Sequence, residues 1–398
     1  MVRLVPFAVE QWMDEYETSA VYNIAETCSA SISIDDLRSL SEDPSRDPLS
    51  TSTKLTYGAI RGSEDLRSNV AKLYSSTDLS TPLAPENVLI TPGAIHANFL
   101  LLYTLIHPGD HVICHYPTYQ QLYSVPESLG AEVSLWKTKS EDGWKLHLEK
   151  LRKLVKPNTK MIIVNNPQNP TGVPISRDIL AGIVEVARPY SIIVFSDEVY
   201  RPLFHSMDKS EWPPSILSLS YDQSIVTGSM SKVYSLAGIR VGWIASLNNA
   251  IIEACASARD YTTISVSQVD DRIAAFALDP SQVGKLLDRN LRLAKANLAV
   301  LKSFIDEHQD TCDWVVPQAG TTAFVRFSRD GKPIDDVLFC QMLQKEKGVM
   351  FVPGGRCFGG DFKGYVRIGY VPETEVLQAG LRELAVFMKT RFWSVPLA

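Results

Sequence analysis

Short apolar runs that alternate with helical stretches most constrain what this chain can fold into. Val88 to Thr91, His111 to Cys114, Glu132 to Trp136, Met161 to Val164, Ile192 to Phe195 and Ser224 to Thr227 read as strands. Met161-Ile162-Ile163-Val164 and Ile192-Ile193-Val194-Phe195 are apolar throughout, as strands covered on both faces must be. Between them Ser176 to Ala187 carries apolar residues at 179, 180, 183, 184 and 187, which is one face of a helix. Ser63 to Leu73, led by Ser63-Glu64-Asp65, and Ala94 to Ile106 read as further helices. Strand and helix in alternation predict an α/β architecture with a mostly parallel sheet.

After Trp243 the pattern changes. Helices are expected over 250–259, 269–278 and 283–307, then strands at Trp314–Val316, Ala323–Phe327, Val349–Val352 and Tyr365–Gly369. Helices over 335–345 and 373–389 would cover them, making a smaller α+β domain. At the other end, Val9 to Tyr22 reads as a helix with Trp12, Tyr16 and Val21 available for packing, and Tyr22 to Cys28 as an extended piece. Ser41 to Lys54 reads as a loop. The expected division is an N-terminal arm over 1–50 that helps complete the small domain, a large domain over 51–285 and a small domain over 286–398.

With 398 residues, 45% of them hydrophobic, the chain can bury a sizeable core. Its formal net charge of −6 and lack of a basic run speak against nucleic acid. Six cysteines, at 28, 114, 255, 312, 340 and 357, form no Cys-x-x-Cys pair, so no metal ribbon is expected. Their scatter fits reduced thiols in a cytoplasmic protein. Neither a signal peptide nor a membrane span is expected.

The chemistry concentrates after the strands. Ser229-Met230-Ser231-Lys232 leaves one strand, and Gly238-Ile239-Arg240-Val241-Gly242-Trp243 follows. Two hydroxyls and a guanidinium around one lysine suit a phosphate held beside an amine. Such an amine forms a Schiff base with a carbonyl once deprotonated. Asn169 lies in Asn165-Asn166-Pro167-Gln168-Asn169-Pro170-Thr171-Gly172, and Asp197 and Tyr200 in Ser196-Asp197-Glu198-Val199-Tyr200. Gly93, Ala94 and Ile95 open a helix whose free N–H groups face any anion placed there. Each feature has an ordinary explanation: a surface lysine, a turn, a helix cap, a packed tyrosine.

Together these motifs resemble the lysine motif and site series of fold-type I pyridoxal-phosphate enzymes, the aminotransferase class I/II family. The order Tyr57, Gly93, Tyr119, Asn169, Asp197, Tyr200, Ser229-x-Ser231-Lys232, Arg240, Arg367 covers nearly the whole chain. The resemblance implies a large domain with a mostly parallel seven-stranded sheet, pyridoxal 5'-phosphate as cofactor and an L-amino acid as substrate. Lys232 would carry the cofactor, Asp197 would meet its ring nitrogen, and Asn169 and Tyr200 its ring hydroxyl. Tyr119 would stack on the ring. Gly93, Ala94, Ile95, Ser229, Ser231 and Arg240 would hold the phosphate. Arg367 would grip the substrate carboxylate. Tyr57 would reach the phosphate of a neighbouring subunit, which implies a homodimer with shared sites.

The reaction stays open between transamination, with a keto acid as acceptor, and elimination or ring closure. Tyr22-Asn23-Ile24-Ala25-Glu26, Tyr116-Pro117-Thr118-Tyr119-Gln120-Gln121 and Asp260-Tyr261-Thr262-Thr263 are similar to a branch that includes capreomycidine synthase, a cyclase acting on a hydroxylated arginine. A regulatory module that binds the cofactor without turnover is the remaining alternative. Relatives often carry a hydroxyl or amide near Ile95 and glycines in the loop held here by Ala25-Glu26-Thr27-Cys28. Glu26 and Asp260 are candidate contacts for a cationic substrate side chain, since unpaired carboxylates near a pocket are costly.

Overall fold

The computed structural model describes residues 4–43, 45–49, 52–75 and 82–398. Part of the expected loop over 41–54, namely residues 44, 50 and 51, lies outside them.

Seven strands form the large sheet. Their spatial order is Val88–Thr91, Gly242–Ser246, Ser224–Ser229, Ile193–Asp197, Thr159–Asn165, His111–Tyr116 and Glu132–Lys137. Gly242–Ser246 runs antiparallel to both of its neighbours, and every other pairing is parallel. Ile162, Ile163, Val194 and Phe195 are fully buried, as their unbroken apolar runs require. Helices Glu64–Tyr74 and Arg177–Ala187 start where serine supplies a cap: Ser63 Oγ accepts from Leu66 N–H at 3.2 Å and Ser176 Oγ from Ile179 N–H at 3.4 Å.

The strand Gly242–Ser246 was not expected, because its first residues belong to Gly-x-Arg-x-Gly-Trp. The structure gives that motif a packing reason. A Cβ on Gly242 would stand 2.5 Å from the carbonyl carbon of Gly93 and 2.6 Å from the nitrogen of Ala94. Only glycine lets this strand meet the start of helix Gly93–Leu105 so closely.

The N-terminal helix is shorter than expected. It spans Ala8–Tyr16, a 3-10 turn follows at Glu17–Ser19, and Tyr22–Asn23 pairs in parallel with Val349–Met350. Gly348 O takes the N–H groups of both Val21 and Tyr22, so the chain leaves the helix before Val21, whose side chain is 69% exposed rather than packed. The expected strand Val349–Val352 also divides. Val349–Met350 joins the N-terminal piece, whereas Val352–Pro353 pairs with Tyr365–Gly369.

The small sheet is antiparallel, in the order Lys332–Pro333, Thr322–Arg329, Tyr365–Gly369, Val352–Pro353, with Cys312–Trp314 also paired to Thr322–Arg329. The strand expected at Trp314–Val316 thus falls two residues earlier, and Val316 is exposed. Helices Asp336–Lys347 and Thr374–Thr390 accompany this sheet, and the long helix Val283–Asp306 packs on Thr374–Thr390.

Candidate active site

In a parallel α/β sheet the carboxyl ends of the strands open onto the ligand crevice. Thr159–Asn165, Ile193–Asp197 and Ser224–Ser229 end together here, beside a cavity of about 320 Å³. Lys232, Asp197, Tyr200, Asn169 and Tyr119 line it, as do Ser229, Ser231 and Arg240. Ala94, Ile95, Glu26 and Arg367 line the same space.

Lys232 is the centre of charge. Its Nζ donates to Thr27 Oγ1 at 2.6 Å and to Cys28 Sγ at 3.5 Å, and stands 3.7 Å from Glu26 Oε1. Burial pushes the amine down, but the negative charge available at Cys28 and Glu26 outweighs burial and holds it above its ordinary value. Burial pushes Glu26 up, yet Lys232 and donors from Cys28 and Thr27 bring it down to about 2. The Cys28 thiol is pushed by burial to about 11 and stays protonated at neutral pH, so Glu26 is the anion beside the ammonium there.

Asp197 is buried at its strand end. Asn98 Nδ2 donates to its Oδ2 at 3.0 Å and Val199 N–H to its Oδ1 at 3.2 Å. Thr227 Oγ1 in turn donates to Asn98 Oδ1 at 2.7 Å, which fixes the amide's orientation. Burial raises the Asp197 carboxyl to about 6 despite these donors. Burial likewise raises Tyr200, against the pull of Lys232. Asn165 ties two strand ends together: its Nδ2 donates to Asp197 O at 3.0 Å and its Oδ1 accepts from Asn169 N–H at 2.7 Å.

At the opposite end Arg240, in left-handed backbone at φ 52°, directs Nη1 to Ser231 Oγ at 3.3 Å. Gly93, at φ 79°, sits in left-handed backbone that favours glycine, and a Cβ there would stand 2.7 Å from Arg240 Nη2. Backbone N–H groups, serine hydroxyls and a guanidinium thus meet in one cradle suited to phosphate. Arg367 is buried; its Nη2 donates to Ala25 O at 3.0 Å and its Nη1 to Asn169 Oδ1 at 3.5 Å, while its Nε has no partner. A buried guanidinium with a donor to spare suits a ligand carboxylate. Taken together, the amine, the buried carboxyl and the cradle fit pyridoxal phosphate.

Tyr57 and Asp260 lie elsewhere. Both are exposed, and neither lines this cavity. Tyr57 borders a surface groove with Leu55 and Ser265. Sequence reasoning missed Asn98, Thr27 and Asn165, and also Glu10, Met13 and Glu17, which line the cavity from the N-terminal segment. A buried amide in the otherwise apolar stretch Ala97–Leu102 was a usable signal for Asn98. Nothing local marks Glu10 or Glu17. That segment is brought over the site by distant contacts: Trp12 Nε1 donates to Phe351 O at 2.7 Å, Ala8 N–H to Gln120 Oε1 at 2.9 Å, and Tyr119 Oη to Glu10 Oε1 at 2.8 Å.

A seven-stranded α/β sheet with an amine, a carboxyl and a guanidinium gathered at its strand ends is the architecture of fold-type I pyridoxal-phosphate enzymes. The chain belongs to the aminotransferase class I and II family, whose model matches residues 38–384. It is 28% identical over 342 residues to an aspartate aminotransferase of Thermotoga maritima, covering 85% of each chain. It is 27% identical over 379 residues to the capreomycidine synthase of Streptomyces vinaceus, covering 95% of this chain and 92% of that one. Among solved structures, a PLP-dependent aminotransferase from Streptococcus suis superposes with a TM-score of 0.88 at 41% identity, over 97% of this chain and 98% of the other.

Proposed function

We propose that this chain is a pyridoxal-phosphate-dependent aminotransferase acting on an L-amino acid, with its site built from the residues named above. The observation that carries this reading is the meeting of Lys232, Asp197 and Arg367 on one cavity. When bound, the cofactor supplies a carbonyl for the amines and a ring that accepts electrons from the substrate carbon. Asp197 would meet the ring nitrogen, whose proton would keep the buried carboxylate ionised. Asn169 and Tyr200 would meet the ring hydroxyl, and Tyr119 would cover a ring face. Ser229, Ser231, Arg240 and the N–H groups of Ala94 and Ile95 would hold the phosphate. Arg367 binds the substrate carboxylate in a bidentate pair. Lys232 would hold the cofactor, and its amine, when free, would move the substrate's α-proton. Thr27 and Glu26 orient that amine through the contacts at 2.6 and 3.7 Å.

The working assembly in this reading is a homodimer in which Tyr57 serves the neighbouring subunit's phosphate. Its keto-acid acceptor is the second substrate. The six free thiols support a cytoplasmic setting, and no helix among the described residues is long and apolar enough to cross a membrane. A second reading, a lyase or cyclase on a cationic amino acid, is supported by the likeness to capreomycidine synthase over 95% of the chain. It uses the same residues.

One experiment tests the site and separates the reactions. Borohydride should fix the cofactor to Lys232, and Lys232→Ala should lose the label; labelling of another lysine would refute the assignment. An amino acid should bleach the cofactor's absorbance and a keto acid restore it. Release of a substituent without that bleaching would favour the second reading.

A further inference from the structure

We infer that this site selects an amino acid with a cationic side chain, a guanidinium or ammonium, and that Glu10 and Glu17 on the N-terminal segment are specificity residues for it. The inference rests on the reading of the cavity as an amino-acid site and adds the class of substrate.

Charge around the cavity divides into used and unused groups. Its cations are Lys232, Arg240 and Arg367. Lys232 holds the cofactor, and Arg240 stands in the phosphate cradle, with its Nη1 3.3 Å from Ser231 Oγ. Arg367 is 3% exposed, and its Nε has no partner, which commits it to the substrate's α-carboxylate. Among the described residues lining this cavity, none is a further cation to meet an acidic side chain. Its carboxylates are Asp197, Glu26, Glu10 and Glu17. Asp197 is claimed by the ring nitrogen. Glu26 follows Ala25, whose carbonyl Arg367 holds at 3.0 Å, so it begins the wall next to the carboxylate grip.

Glu10 and Glu17 stand farther out, on helix Ala8–Tyr16 and the turn after it, and both are exposed at the mouth. Glu10 accepts from Tyr119 Oη at 2.8 Å, which turns its carboxylate toward the site. Glu17 has no ion-pair partner among the described residues. Burial raises the Glu17 carboxyl, and the charges of Glu26 and Glu10 raise it further, so Glu17 feels repulsion from both. A cation among them relieves that repulsion; a carboxylate would add to it. A long side chain whose α-carboxylate lies on Arg367 passes Glu26 and places its charge at the mouth.

The test compares arginine with citrulline, its neutral near-isostere, and with aspartate. Dissociation constants are read from the cofactor's absorbance in the holoenzyme. The wild-type chain should bind arginine about tenfold or more tightly than citrulline and should bind aspartate most weakly. In the Glu10→Gln/Glu17→Gln double variant the arginine-to-citrulline preference should fall about three- to tenfold, because exposed carboxylates are screened. That preference should also shrink with added salt in the wild type and less so in the variant. If citrulline or aspartate binds as well as arginine, or the preference survives the double substitution, the inference falls while the amino-acid site stands. If no amino acid perturbs the absorbance although Lys232 carries the cofactor, the amino-acid reading fails and this one with it.

Discussion

Asp197 shows at the scale of one residue how the site trades stability for chemistry. Its carboxyl is buried with two hydrogen-bond donors and no cation in contact. Burial raises it from 3.8 to about 6, so between those values the folded chain holds a proton that the unfolded chain releases. Stability of the cofactor-free protein therefore falls as pH rises through that window. Two pKa units correspond to about 3 kcal/mol. Asp197→Asn keeps the shape, and its side-chain oxygen still accepts from Asn98, but it carries no charge to bury. Without cofactor it should be more stable than wild type at pH 7 by up to about 3 kcal/mol, and the gap should close toward pH 4. Urea unfolding at both values checks this. A gap independent of pH would assign the gain to something other than the buried charge. With cofactor the order should reverse if Asp197 takes the proposed place at the ring nitrogen, which would be its cationic partner.

At the scale of elements, legibility followed whether the signal was local. The runs at Met161–Val164 and Ile192–Phe195 were readable because a strand buried on both faces must be apolar at every position. The polar groups at their ends were readable because strand ends define the crevice. Gly242–Ser246 was not, since glycine and arginine obscured a run with only Trp243, Ile244 and Ala245 as apolar signal. Val349–Val352 divided because two different partners claim its halves, a choice that no local pattern contains. The N-terminal helix is the clearest case. Its start was visible, but its position over the cavity depends on Trp12, which is 1% exposed, donates to Phe351 O at 2.7 Å and lies 5.0 Å under the Arg356 guanidinium. Trp12→Ala should cost about 3–5 kcal/mol, concentrated in this element. Amides of residues 8–16 should lose hydrogen-exchange protection before the large sheet does, and amino-acid binding should weaken with them. Unchanged protection there would show that the helix is anchored elsewhere.

At the scale of the whole molecule, one chain carries surface that its own fold does not use. Leu55, Tyr57 and Ile60 are 79%, 76% and 49% exposed, and Tyr261 and Ile264 are 94% and 42% exposed. Gln268 Nε2 joins these two segments by donating to Thr56 O at 2.7 Å. Thr263 Oγ1, 3.1 Å from His96 Nε2, brings the second segment against helix Gly93–Leu105, where Ile95, Phe99 and Tyr103 are exposed too. An apolar belt that begins beside the phosphate cradle is what an interface near the active site requires. The homodimer reading makes a sharper claim than association, because it gives Tyr57 to the other subunit's site. Tyr57→Phe should loosen cofactor binding by about tenfold, the effect of removing one hydrogen bond to a charged group. Mixed dimers then tell cis from trans. Pair a Lys232→Ala chain with a Tyr57→Phe chain. The single live site has Lys232 from the second chain and, if the hydroxyl crosses the interface, Tyr57 from the first. Half the sites should then bind cofactor with wild-type affinity. If Tyr57 serves its own chain, the live site keeps phenylalanine and the weaker affinity remains. A monomeric protein that binds the cofactor at full strength would remove the shared site altogether.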